Sequence, residues 1–264
     1  PVWAGGRPSI PRAESPAVAR VAAPAPTPAA ATASAVSPAA APAAAPARGP
    51  RPPASLSVPR AGPAALATAS PPAAPGRDLE LALYYQRAGD FENALHHYRK
   101  LLETNELDAQ AHNNLGLLYQ SRSLFDESAR ELQRAILIDP KNARTHNNYG
   151  VTLLGQRRID EAVAEFRLAL TLEPRSVDSL VNLGLAEKQA GHSAAAREML
   201  VRALEIAPRS AEAHYNLGLV YDETNEAARA IEHYRQFIDN AGPEHADRAA
   251  AVRARIAALS RIPD

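Results

Sequence analysis

Three of the eight histidines, His112, His146 and His214, are separated by whole multiples of 34 residues. Imidazole is both a general base and a common metal ligand, so this spacing is the first place to look for chemistry. The spacing also argues against it. Equivalent side chains on different packed helices lie about 8–10 Å apart or more, whereas a Zn–N bond is about 2.0–2.1 Å. The three rings cannot share an ion and are expected to pack in the interior. His96 and His97 are adjacent on a helix and diverge, which makes a poor chelate. The carboxylates are spread along helix faces. The chain contains no HExxH, GxSxG or glycine-rich phosphate loop. It also has no cysteine, which excludes disulfides, thiolate metal sites and cysteine nucleophiles. A noncatalytic chain with no cofactor and no metal is expected.

Asparagine carries more. Asn114, Asn148, Asn182 and Asn216 also stand 34 residues apart. Asparagine is a poor helix former because its amide competes with the backbone, so four such residues inside helical patterns need a reason. An amide both donates and accepts. It can therefore pair with a peptide backbone in either sense, whatever the partner's sequence. The alternative, a recurrent residue with no specific task, stays open on sequence alone.

These residues are held by a repeated unit. Gly116, Gly150, Gly184 and Gly218 share the period, and Pro140, Pro174 and Pro208 each follow a glycine by 24 residues. Units count from Ala109, Ala143, Val177 and Ala211. Positions 4, 7, 8 and 11 give His112, Leu115, Gly116 and Tyr119 in one unit, and His146, Tyr149, Gly150 and Leu153 in the next. These offsets share one helix face. A second helix follows, with Ala162, Phe166 and Ala169, or Ala196, Leu200 and Ala203, on its apolar face. The small residues at positions 8 and 27 allow close approach, and the proline stops the second helix. An earlier, weaker unit keeps Tyr85, the turn from Gly89 to Ala94, and Tyr98, but has Ala82 at the glycine position. Glu187 replaces the aromatic at position 11 in its unit, and looser packing is expected there. Phe237 replaces the small residue at position 27 in the last unit, which should change how the next helix docks. Residues 244–264 read as a capping helix, with a basic amphipathic helix for a membrane or nucleic acid as the alternative. Ala249, Val252, Ile256 and Leu259 share one face, with Arg248, Arg253 and Arg255 elsewhere.

The pattern resembles the tetratricopeptide repeat family. The resemblance covers about 75–242 and implies an all-α, right-handed α-solenoid of five helix-turn-helix units, about 75–108, 109–142, 143–176, 177–210 and 211–243. It implies that the first helices line a concave groove into which position 6 faces. The four asparagines would then form a ladder over an aliphatic floor of Leu117, Val151 and Leu185. Position 2 runs Gln110, Arg144, Asp178, Glu212. With Asp222 and Glu223, the C-terminal end of the groove turns acidic, which favours a protein or peptide partner with a basic segment. The family's clamp for acidic chaperone C-termini uses basic residues at positions 2, 5 and 6. Only Arg144 matches it, so a cochaperone role is not expected.

Composition divides the chain at residue 76. The first 76 residues hold 18 of the 23 prolines and six arginines against one acid, Glu14, while 77–264 hold 23 basic and 28 acidic residues. Neither part has the basic excess of a nucleic-acid domain. Residues 1–76 have too few large apolar side chains to offset backbone entropy and are expected to be a disordered Ala/Pro-rich linker. Pro50–Pro53 is a weaker candidate for a PxxP ligand, and the lone Trp3 has no core near it in sequence. No apolar run approaches the roughly 18–20 residues of a spanning helix, so no membrane insertion within 1–264 is expected. Pro1 in place of methionine leads us to expect an upstream segment, a membrane anchor among the candidates.

Three functions fit these readings. The first is a protein-binding scaffold that takes an extended segment in its groove. The second is the regulatory array of a larger enzyme, such as a protein glycosyltransferase. The third is an envelope-tethered accessory of a bacterial pilus or secretion assembly, towards which the resemblance of the linker leans the localisation.

Overall fold

The computed structural model describes residues 77–261. The expectations for the Ala/Pro-rich segment, Trp3 and Pro50–Pro53 lie outside the described residues. Every element described is helical: α1 (Asp78–Ala88), α2 (Phe91–Thr104), α3 (Ala109–Ser121), α4 (Phe125–Ile138), α5 (Ala143–Gly155), α6 (Ile159–Leu172), α7 (Val177–Gln189), α8 (Ser193–Ile206), α9 (Ala211–Glu223), α10 (Ala227–Asn240) and α11 (Ala246–Leu259).

The helix ends follow from local chemistry. The first helices of four units begin behind Asp108, Asn142, Ser176 or Ser210. Each of these side chains accepts a hydrogen bond from the backbone N–H three residues on, satisfying a donor that the first turn leaves open. The turn between the two helices of a unit passes through the left-handed region at one repeating place. Gly89 and Gly191 occupy it without steric cost, and Ser123, Arg157 and Asn225 adopt it at φ 58°, 64° and 66°.

Within a unit the two helices meet at the glycine. A Cβ on Gly150 would lie 2.6 Å from the Phe166 ring, and one on Gly218 would lie 2.6 Å from the Tyr234 ring. No side chain fits at that separation. Leu132, Phe166, Leu200 and Tyr234 fill this place in four units and are fully buried. Each second helix also packs on the first helix of the next unit, and successive first helices α3, α5, α7 and α9 touch one another. No comparable contact joins successive second helices. The array therefore curves with the first helices on its inner wall.

Glu187 does not loosen its unit. Its carboxylate is buried and bound by Arg167 at 2.6 Å and His192 at 2.8 Å, so hydrogen bonds replace the missing aromatic contact. Arg255 also departs from its expected outer face: it is 2% exposed and points into the array.

Candidate interaction surface

The inner wall is formed by the first helices, and the asparagines show how much of it is open. Asn114 is half-buried, whereas Asn148, Asn182 and Asn216 are 1%, 0% and 0% exposed. The amides turn to neighbouring helices. Asn148 Nδ2 donates to Asn113 Oδ1 at 2.9 Å, and Asn182 Nδ2 donates to Asn147 Oδ1 at 3.1 Å. Each bond joins position 6 of one unit to position 5 of the unit before. A buried amide without such a partner would be costly, so these bonds explain why asparagine is tolerated inside the helices. A ladder of four amides open to a ligand is thereby corrected to one accessible amide, Asn114, and a set of inter-unit staples. Sequence reasoning missed Asn113 and Asn147 as the acceptors. Their placement one residue before the ladder was the available signal.

The floor follows the same gradient. Leu117 is half-buried, while Val151, Leu185 and Leu219 are buried. Leu83 of α1, at the equivalent place in the first unit, is also half-buried. Arg144 and Asp178 are exposed at the rim. The open inner wall thus lies at the N-terminal half of the array, around Leu83, Asn114, Leu117 and Arg144.

The acids of the C-terminal half are matched by cations of this chain. Glu212 meets His245 at 3.1 Å and Arg248 at 4.0 Å, and Glu223 meets Lys188 at 2.7 Å. Asp222 takes a bidentate pair from Arg255, with Nε and Nη2 each donating at 2.7 Å. Tyr234 O–H adds a third bond to Asp222 at 3.2 Å. Asp222 is 0% exposed. The expected acidic groove end is therefore largely neutralised, because Lys188 of α7 and Arg248 and Arg255 of α11 answer it.

The histidines are structural. His112 Nε2 bonds the Glu106 carbonyl at 3.0 Å and Nδ1 bonds Glu131 at 2.7 Å. His146 repeats this with Pro140 and Glu165. His214 keeps the carbonyl bond, to Pro208, but its Nδ1 meets His233 Nδ1 at 3.1 Å. Burial first, and then the neighbouring His214, hold the His233 pKa below its ordinary value. Burial pushes the Tyr215 hydroxyl up to about 12 and raises Tyr234 further. Among the described residues no group of three or more His, Cys, Asp or Glu is placed to hold a metal ion, and no helix is long and apolar enough to cross a membrane.

Comparison with known proteins agrees with this architecture. The tetratricopeptide repeat model matches residues 79–137, 118–177 and 181–246, which is more than half of the chain. The chain belongs to the tetratricopeptide repeat family, generally a noncatalytic interaction repeat whose members bind proteins or peptides. Among solved structures it is similar to pilF of Pseudomonas aeruginosa, with 27% identity over 69% of this chain and 87% of that one, at a TM-score of 0.59. It is similar in fold to PilW, a widely conserved type IV pilus biogenesis factor, with 22% identity over 70% and 88% and a TM-score of 0.62. It is also similar in fold to YrrB, a TPR protein with an unusual peptide-binding site, with 22% identity over 66% and 88% and a TM-score of 0.52. No curated relative matches the chain in sequence.

Proposed function

We propose that this chain is a noncatalytic scaffold that takes an extended polypeptide segment along the N-terminal half of its inner wall. The observation that carries the reading is the burial gradient. Leu83 and Leu117 offer apolar contact where the wall is open, with Asn114 a half-buried amide whose Oδ1 accepts from Asn113 Nδ2 at 3.3 Å, and the equivalent residues further along are sealed. Apolar contact supplies affinity and a few polar groups set register. Arg144 is exposed at the rim of the open wall, which suits an acidic group on the partner segment. A photocrosslinking residue at Asn114 should trap a polypeptide in cells, whereas the same residue at Arg130, on an outer helix, should not. Equal capture at both places defeats the proposal.

A second reading, an accessory of a pilus assembly, draws on the likeness to PilW, a type IV pilus biogenesis factor. Deleting the gene should then abolish surface pili, and unchanged piliation excludes it.

A further inference from the structure

Position 7 of the unit is apolar in all five copies: Leu81, Leu115, Tyr149, Leu183 and Leu217. In the last four, the second helix of the preceding unit packs over the first helix, and the residue is between 1% and 6% exposed. Leu81 opens the array and is only half-buried. Across α1, Ala82 alone is buried. A large apolar side chain is thus held where the repeat expects a covering helix.

Residues 1–76 do not have the chemistry for that helix. Second helices such as α2 and α4 are 14 residues long, and no proline-free run in 1–76 exceeds the nine residues of 29–37. Proline inside a helix removes a hydrogen bond and clashes with the preceding turn. Head-to-tail stacking onto α10 is blocked as well, because α11 packs there.

The charges of α1 fit a second copy. Its first turn is acidic, with Asp78 and Glu80, and its last turn carries Arg87. Glu80 and Arg87 are both exposed. Being seven residues apart, they lie two turns apart on one flank of the helix. A two-fold axis crossing α1 midway between them runs the two helices antiparallel. It sets Glu80 of each copy against the partner's Arg87 and lays Leu81 beside the partner's Ala88. Among the described residues Glu80 meets Arg77 at 3.5 Å, with both side chains more than half exposed, a contact exchanged at little cost.

We propose that the N-terminal end of the array is a self-association surface, with α1 pairing antiparallel to α1 of a second copy. Such an isologous contact closes on itself as a dimer. Two short helices make a small interface, so association is weak and reversible.

Sedimentation velocity on the full chain tests it, from about 5 to about 500 μM, the range a small interface requires. The sedimentation coefficient should rise from monomer to dimer with concentration. Leu81→Lys should remain monomeric throughout, with an unchanged circular-dichroism melting temperature showing that it folds. Glu80→Arg and Arg87→Glu should each weaken the dimer at least tenfold, and an equimolar mixture of the two should restore it, because each then meets its complement. A wild-type chain monomeric at every concentration overturns the proposal. So does a dimer unaffected by Leu81→Lys, or a mixture no tighter than either charge variant alone.

Discussion

The two ends of this array solve the same problem in opposite ways. At the C-terminal end α11 covers the last unit with Ala249, Val252 and Leu259, and a fully buried Arg255–Asp222 pair locks it. At the N-terminal end α1 buries only Ala82 and leaves Leu81 and Leu83 half-exposed. A solenoid whose units contact only their neighbours must finish each end separately. Among the described residues one end is sealed by α11, while the other keeps apolar surface. Accessible inner wall and exposed end coincide in the first two units, so the binding capacity of the molecule concentrates where its own packing stops.

The largest test of that contrast is the buried pair. Arg255→Ala leaves Asp222 charged and dry, and should cost about 3–5 kcal/mol in urea unfolding. Replacing both residues by Arg255→Met and Asp222→Leu should cost much less, since no uncompensated charge remains. A single substitution as mild as the double would show that the pair is not the lock.

Next is the helix crossing within the end units. Gly218→Ala drives a methyl into the Tyr234 ring and should cost about 1–3 kcal/mol in thermal unfolding. At the other end Ala82 already stands at that place and is fully buried, so Ala82→Gly should cost about 1–2 kcal/mol through backbone entropy and the lost buried methyl. A Gly218→Ala variant as stable as the native chain would show that the last crossing accepts a Cβ as the first one does.

Acid should separate them further. The folded His233 pKa lies below the ordinary value of 6.5. Above 6.5 the group is neutral in both folded and unfolded chains and has no effect. As pH falls from 6.5 towards the lowered value, the unfolded chain takes up more protons, and the C-terminal end loses stability. At the N-terminal end, the hydrogen bond from His97, with Lys100 adding to it, holds the Asp78 pKa below 3.8. That contribution is present above 3.8 and fades only as pH falls through the lowered value. Hydrogen exchange at pH 7.5 and 5.5 should show faster opening of α9 and α10 at the lower pH, with α1 and α2 little changed. His233→Gln should flatten the response of α9 and α10.

The smallest effect is expected at Leu81. Leu81→Lys should change unfolding stability by no more than about 0.5 kcal/mol. A larger loss would mean that α1 is covered from within the monomer, and that the two ends are alike.

Much of this was legible in advance. The 34-residue period places the starts of α3, α5, α7 and α9, because each begins behind a side chain that caps it. The glycines at position 8 announce the close crossings, because only a missing Cβ lets an aromatic ring or a leucine approach so near. The site was read less well. Asn148 and Asn182 were visible as a series, but a periodic amide has the same spacing whether it faces a ligand or the next helix. Asp222, Glu212 and Glu223 form a plausible acidic run in sequence, since their cations come from α7 and α11, dozens of residues away. Arg255 lies off the apolar face of the capping pattern, and nothing near it in sequence announces a buried partner 33 residues back.

The sequence by itself determined the helical pairs, their boundaries and the register of the repeat, because capping, helical period and side-chain size act over a few neighbouring residues. Only the tertiary structure decided which polar groups are spent within the chain and which remain open. Burial and charge pairing depend on what lies across the interface between units. The same distinction separates Gly89 and Gly191 from Arg157. A glycine declares the left-handed turn on its own, whereas Arg157 is held there at φ 64° by the packing of the helices on either side.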